Sequence, residues 1–231
     1  MTLLELKKDI SNVLMLDDSC ISKFEKYMDL LLEWNEKFNL TAIKTKEEII
    51  EKHFYDCLLP VQMIDLNDKY IADLGTGAGF PGLVWSICFP SSKFVLIEST
   101  GKKCKFLKKV VDKLDLKNVE IINDRVENVH KLGIFDVVTS RAMSSLQIIL
   151  EVGVPLLKIG GHFLAMKGSK GEEEIKSSKH CLDELKCSIS AINKASLPTD
   201  DSKRINILVR KDAKTPKKYP RPWSNIVSKP L

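Results

Sequence analysis

The sequence predicts an α/β protein, a seven-stranded mixed sheet preceded by an N-terminal helical extension. Three observations predict it. From Tyr70 onward, apolar strand-like runs alternate with helix-like runs, the pattern of a parallel sheet with crossover helices. The first strand runs into a glycine loop, DLGTGAGFPG from Asp73 to Gly82, and the second, Phe94 to Ile97, is followed by an acid, Glu98. The last two runs, Ser188 to Ala195 and Arg204 to Arg210, flank a polar turn (Pro198 to Ser202) and read as a hairpin that closes the sheet.

The elements follow in order. Leu3 to Leu16 reads as a short helix, with Asp17, Asp18 and Ser19 as turn and cap residues. Ile21, Phe24, Met28, Leu31, Asn35 and Phe38 recur at helical spacing, with Tyr27 and Leu32 widening the apolar face. A third helix spans about Lys46 to Leu59, and Pro60 is its stop. Strand one ends near Leu74, and Pro81 stands where a helix begins, because its missing N–H is not needed there. That helix ends before Pro90. Strand two is Phe94 to Glu98, a lysine-rich helix covers about Lys102 to Leu114, and strands three and four are Val119 to Asn123 and Phe135 to Ser140. A helix from about Ser145 to Leu157 stops at Gly160-Gly161, strand five is His162 to Met166, and a charged helix follows Gly171. The chain thus divides into an extension (1–65), a sheet domain (66–212) and a basic C-terminal tail (213–231).

Composition narrows the class. With 231 residues, 44% hydrophobic and 29% charged, the chain can bury a full core. No apolar run approaches the ~20 residues of a membrane helix, and MTLLELKKDI lacks signal-peptide character. A cytoplasmic protein is expected, with no membrane association. Six scattered cysteines form no Cys-x-x-Cys, and His130, His162 and His180 show no ligand spacing, so no metal is expected. The net charge of +5 is uneven. Ser202 to Leu231 carries nine basic residues against one acid, and Lys102, Lys103, Lys105, Lys108 and Lys109 form a second cluster. Basic patches on a nearly neutral body favour a polyanionic partner, nucleic acid. No helix shows a sustained heptad seam, so a monomer is expected.

The glycine loop indicates which nucleoside binds. Gly75, Gly77 and Gly79 let the backbone turn and let a ligand approach without a Cβ in the way. The dinucleotide fingerprint requires a glycine where this chain has Phe80. Asp73 precedes the loop, and a carboxylate pointing into it repels a pyrophosphate but suits an amino or sulfonium group. The pair favours S-adenosylmethionine over NAD or FAD. Glu98 is placed to accept hydrogen bonds from both ribose hydroxyls. Beyond strand three, backbone groups of Val126 and Glu127 are candidates for the adenine edge, while Asn123 or Asp124 serves equally as a helix cap. Arg141 follows strand four at the same sheet edge. There it either shapes the pocket or pairs with a nearby carboxylate. Lys52-His53 invites a catalytic reading, but a packing or RNA-contact role suits it better.

At these residues the chain resembles the bacterial ribosomal RNA small subunit methyltransferase G family, also called glucose-inhibited division protein B. The resemblance covers nearly the whole chain. It rests on LLEWNEKFNLTAI (Leu31 to Ile43), KHFYDCLL (Lys52 to Leu59), the glycine loop, LIESTGKKCKFL (Leu96 to Leu107), DRVEN (Asp124 to Asn128), SRAMSSL (Ser140 to Leu146), MKG (Met166 to Gly168) and TPKKYPR (Thr215 to Arg221). It implies a class I S-adenosylmethionine-dependent methyltransferase fold, Rossmann-like, and methyl transfer to guanine N7 in the decoding-region loop of 16S rRNA, with 16S rRNA or the small ribosomal subunit as partner. The implied cofactor contacts are Gly75, Phe80, Val126, Glu127 and Arg141; the residue-level reading adds Asp73, Gly77 and Glu98. Lys103 stands where arginine is usual, and RPWSN after Pro220 departs from the family's basic, glycine-containing tail.

N7 carries an exposed lone pair, so no general base is expected; Arg141 is the candidate positioning residue. Lys167 at the site rim and Lys217, Lys218 and Arg221 in the tail are candidate RNA contacts, with Tyr219 or Trp223 offering a stacking surface. Three rivals share parts of this reading: a methyltransferase of another nucleic acid or a protein, a dinucleotide-dependent oxidoreductase, and a non-catalytic ribosome-binding module that senses the cofactor.

Overall fold

The computed structural model describes residues 1–129 and 132–231. Its seven strands form one sheet in the order β3-β2-β1-β4-β5-β7-β6. Here β1 is Tyr70–Leu74, β2 Lys93–Ile97, β3 Val119–Ile122, β4 Phe135–Arg141, β5 Leu157–Lys167, β6 Cys187–Ser196 and β7 Lys203–Lys211. Strands β1 to β5 run parallel, and β7 pairs antiparallel with both β5 and β6. The strand order reverses between β1 and β4, which opens a crevice at their C-terminal ends. The predicted terminal hairpin is present.

The helices follow the chain as α1 (Leu3–Asp9), α2 (Asp18–Phe38), α3 (Lys46–Ile49), α4 (Asp56–Leu58), α5 (Gly82–Cys88), α6 (Gly101–Lys113), α7 (Leu146–Gly153), α8 (Gly171–Ser177), α9 (Lys179–Leu185) and α10 (Trp223–Ser228). Thr2 and Glu5 form a reciprocal capping box on α1, and the Asp17 side chain caps α2 through the Cys20 N–H. Strand residues alternate between two cores. Ile71, Phe94 and Leu96 pack with α2, α5 and α6 on one face. Ala72, Leu74, Val95 and Ile97 pack with α7, α9 and the C-terminal tail on the other. The N-terminal helices are therefore part of the core of one face.

Four local expectations are corrected. The first helix stops at Asp9 instead of Leu16. Phe38 is half exposed at the end of α2. The single helix expected over Lys46 to Leu59 is interrupted by a π-helical turn, Ile50–Tyr55, and its α-helical part ends at Leu58, ahead of Pro60. Pro60 occupies the first turn of a 3-10 helix, Leu59–Met63, where a missing N–H costs nothing. Gly160-Gly161 lies inside β5, which begins at Leu157. Phe135 pairs with Leu157 but Val137 pairs with His162, so the glycines form a bulge. A Cβ on Gly161 would sit 2.9 Å from the Asp136 carbonyl, which is why that position is glycine.

Candidate active site

The glycine loop leaves β1 at Leu74 and is fastened to the neighbouring strand. The Gly75 and Thr76 N–H groups both donate to the Ile97 carbonyl, at 2.9 and 3.2 Å. Gly75 has φ +65°, and a Cβ there would stand 3.2 Å from the Met143 side chain, which lies over it.

Asp73 is fully buried behind the loop. Its Oδ2 accepts from the Thr76 hydroxyl at 2.6 Å and from the Gly82 N–H at 2.8 Å, while Oδ1 has no hydrogen-bond partner. Burial pushes its pKa up to about 6, against the two hydrogen bonds that lower it. The expectation that this carboxylate faces a cationic ligand is corrected: it lines neither cleft at the site. The alternation of β1 turns it toward the α5 face, where it braces the loop against the first turn of α5.

Two clefts open at the C-terminal ends of the strands and share Gly75 and Met143. The smaller, of about 280 Å³, also contains Glu98, Asp124, Val126, Glu127 and Trp223. Glu98 directly follows β2, and its oxygens accept from the Gly77 N–H (3.0 Å) and the Thr100 N–H (2.8 Å). A carboxylate has about four acceptor positions, so lone pairs remain for a diol. Asn123 pins the same corner by donating to the carbonyls of Glu98 and Ser99. The helix-cap expectation for Asn123 or Asp124 is corrected: the 3-10 turn Val126–Asn128 starts from Arg125 without a side-chain cap, and Asp124 instead accepts from the Arg125 N–H and the Asn128 side chain, while Val126 and Glu127 line the cleft.

The larger cleft, of about 730 Å³, is organised by Arg141 at the end of β4. Its Nη1 donates to the Lys52 carbonyl (3.1 Å) and to Asp56 Oδ2 (3.0 Å), and its Nη2 lies 3.0 Å from His53 Nδ1. The guanidinium sits 5.0 Å over the Phe80 ring. Arg204 donates through Nε to the other Asp56 oxygen at 2.8 Å. The expected carboxylate pair of Arg141 is therefore present but buried instead of superficial, and Arg141 lines the cleft.

His53 stacks on Phe80 with centroids 4.2 Å apart, and its Nε2 lies 3.0 Å from the Thr41 hydroxyl. Burial, reinforced by Arg141, drives its pKa down to about 3. The neutral ring accepts from Arg141 at Nδ1 and donates to Thr41 at Nε2, which assigns it the packing role. The π-helical turn and α4 place Lys52, His53 and Asp56 toward one arginine. Sequence reasoning missed Thr41, Asp56 and Arg204 as parts of this site. For Asp56 the KHFYDCLL block was the signal, since His53 and Asp56, three residues apart, share a helix face.

Lys167, at the end of β5, reaches the larger cleft as expected, with its ammonium 2.7 Å from Glu174. The tail candidates lie elsewhere. Lys217 lines a separate groove with Leu157, Ile159 and Lys214, at the N-terminal edge of β5. An 11-residue strand separates that edge from the clefts by roughly 30 Å. Lys218 pairs with Glu184 at 2.8 Å, and the Tyr219 hydroxyl donates to the same carboxylate from a buried ring. Arg221 is held bidentately by the fully buried Glu151, at 2.7 and 2.6 Å. Of the candidate RNA contacts in the tail, Lys218 and Arg221 are thus engaged by carboxylates of the protein itself. The tail folds onto α9 and α7, and Tyr219 offers no free face for a base. Among the described residues no group of three or more His, Cys, Asp or Glu side chains is placed to hold a metal, and no helix is long and apolar enough to cross a membrane. His130 lies outside the described residues.

A glycine loop after the first strand, an acid closing the second and a terminal antiparallel hairpin define the class I S-adenosylmethionine-dependent methyltransferase fold. M. jannaschii TYW2 in complex with AdoMet shares it with a TM-score of 0.59, at 14% identity over 74% of this chain and 79% of that one. A SAM-dependent methyltransferase from Aquifex aeolicus does so at 0.56, with 15% identity over 75% and 97%. The family model described as rRNA small subunit methyltransferase G matches residues 20–204. A Staphylococcus carnosus protein named ribosomal RNA small subunit methyltransferase G is 40% identical over 222 residues, 94% of this chain and 92% of its own. A Bacillus cytotoxicus protein of the same name is 40% identical over 206 residues, 87% and 86%. The chain belongs to the rRNA small subunit methyltransferase G family.

The residues present fit the cofactor of that family. Gly75 puts no side chain where the two clefts meet, Glu98 keeps lone pairs for ribose hydroxyls, and the two clefts adjoin so that a nucleoside and its amino-acid arm can lie across them. Removing the Glu98 carboxylate deletes two hydrogen bonds to a charged acceptor, at about 1.5–3 kcal/mol each. Glu98→Ala is therefore expected to weaken S-adenosylmethionine binding by roughly 10²- to 10⁴-fold in calorimetry. An unchanged affinity removes the ribose role.

Proposed function

We propose that the protein transfers a methyl group from S-adenosylmethionine to N7 of a guanine in the decoding-region loop of 16S rRNA. The observation that carries the reading is the pair of adjoining clefts at the strand ends, one suited to a nucleoside and the other walled by cationic side chains, in a chain of this family. When bound, the cofactor supplies an electrophilic methyl group that a neutral purine N7 accepts without first losing a proton.

The acids and the histidine of the larger cleft are matched to that chemistry. His53 is committed to Arg141 and Thr41, Asp56 to Arg141 and Arg204, and Glu174 to Lys167 and the Leu146 N–H. Each is placed for holding position. Arg141 fixes the wall against which the base lies, and catalysis comes from alignment of N7 with the methyl–sulfur bond, for which positioning supplies about 7–11 kcal/mol. Lys103, Lys167 and Arg204 line the cleft, where RNA phosphates approach. Gly75, Gly77, Phe80, Glu98, Val126 and Glu127 form the cofactor side, and Asp73 acts on it through the loop. We place this activity in the cytoplasm and assign it to a monomer.

Mass spectrometry of ribosomal RNA from a deletion strain tests the reading: one 7-methylguanosine should vanish from 16S rRNA and return with the wild-type chain. Methylation of naked 16S rRNA and of 30S particles by the purified protein identifies the form of the substrate. Retention of every 16S methylation in the deletion strain overturns the proposal.

A further inference from the structure

The smaller cleft has one wall that the family resemblance does not explain. Its apolar lining comes from Ile97, Val126 and Met143 and from Trp223, which belongs to the C-terminal tail. Trp223 lies in the RPWSN segment, where this chain departs from the pattern its family resemblance implies.

The tail reaches this position along a fastened path. After β7 it crosses the N-terminal edge of the sheet, where the Tyr219 ring is buried and its hydroxyl is bonded to Glu184. It then climbs beside α7, held by the Arg221–Glu151 pair. Ile226 of α10 is fully buried in the core of that face, and the carbonyl of Leu231 accepts from the Gln147 side chain at 2.6 Å. Arg221 and Ile226 bracket Trp223, so the half-buried indole is held at the cleft by anchors on both sides. Among the described lining residues it is the cleft's aromatic side chain.

A purine needs a polar rim for its edge and ribose, and flat apolar faces above and below. Glu98, Asp124 and Glu127 supply the rim. Ile97, Val126 and Met143 are aliphatic, while an indole presents a π-face of matching size. We infer that Trp223 closes the nucleoside subsite and stacks on the adenine of the bound cofactor, making the tail a cofactor-binding element. This rests on the reading that the cleft takes S-adenosylmethionine.

Calorimetry with S-adenosylhomocysteine and 5′-methylthioadenosine, which share the adenosine group, tests it in full-length protein. Trp223→Ala and Trp223→Leu should weaken both ligands by roughly 5- to 100-fold, the range of base–aromatic stacking. Trp223→Phe should stay within roughly threefold of wild type, because a smaller ring keeps a π-face. The KM for RNA should not change. Leucine restores apolar packing of the tail without a π-face, so the Leu and Phe variants separate stacking from anchoring. Ligand quenching of tryptophan fluorescence should also disappear in Trp223→Phe, with Trp34 and Trp85 remaining as internal references. Equal affinities of the Leu and Phe variants, undiminished quenching in Trp223→Phe, or a rise in the RNA KM with unchanged ligand affinity overturns the inference. Failure of the wild-type protein to bind either ligand overturns the cofactor reading itself.

Discussion

Arg221→Ala should be among the most destabilising single substitutions in the C-terminal tail. Glu151 has no solvent exposure, and Arg221 meets it with two side-chain bonds and a backbone N–H at 3.0 Å. Truncating the arginine leaves a buried carboxylate with that backbone donor alone, and breaking a buried pair in this way costs about 3–5 kcal/mol. For a chain of this size the melting temperature should fall by roughly 6–20 °C. Glu151→Gln should cost less, because the surviving guanidinium is partly exposed and can turn toward water. The double variant Glu151→Leu/Arg221→Leu should lie above Arg221→Ala, since neither charge is then stranded. Calorimetric melting of the three proteins checks the order. A phosphate-contacting Arg221 would give the opposite result, with unchanged melting and a flatter salt dependence of RNA binding.

That arginine also shows where sequence reading stops. A run of lysines and arginines displays charge but not partners, and the partners of Arg221 and Lys218 lie in α7 and α9, far back along the chain. Their pairing turned an apparent polyanion-binding tail into a strap. Features carried by neighbouring residues were legible: the β1 glycine loop, the acid at the end of β2, the terminal hairpin and the alternation of faces. The Arg141 cluster was not, because its members are separated by 85, 88 and 148 residues and converge only when the extension folds onto the sheet. The family resemblance flagged KHFYDCLL and SRAMSSL as separate blocks. Their physical connection is that His53 and Asp56 of the first hold Arg141 of the second. The bulge at Gly160-Gly161 and the π-helical turn at Ile50–Tyr55 escaped for a simpler reason: each breaks a regular period locally, and a periodicity argument averages over such breaks.

His53 should set the acid limit of the protein. Its ring is neutral in the fold, with a pKa near 3 against an ordinary value of 6.5. The unfolded chain therefore takes up the proton more readily. This group's contribution is intact above about pH 6.5 and is lost as pH falls toward 3, an effect of about 4–5 kcal/mol in total. Asp73 works in the other direction. With its folded pKa raised to about 6 from 3.8, its contribution is fully present below about pH 3.8 and is lost as pH rises through 6. Between pH 4 and 6 it offsets part of the His53 loss, by up to about 3 kcal/mol. Urea unfolding from pH 4 to 7.5 separates the two. His53→Gln, which can still accept from Arg141 and donate to Thr41, should flatten the acid decline. Asp73→Asn should steepen it. The comparison uses slopes, so a uniform cost of either substitution does not obscure the outcome, and an unaltered slope in His53→Gln would refute the assignment. Activity should share the acid limb, because a protonated His53 presents an N–H to the guanidinium it now accepts from. Arg141 would then lose a fixing contact, and the pocket wall would lose its alignment before the fold is lost.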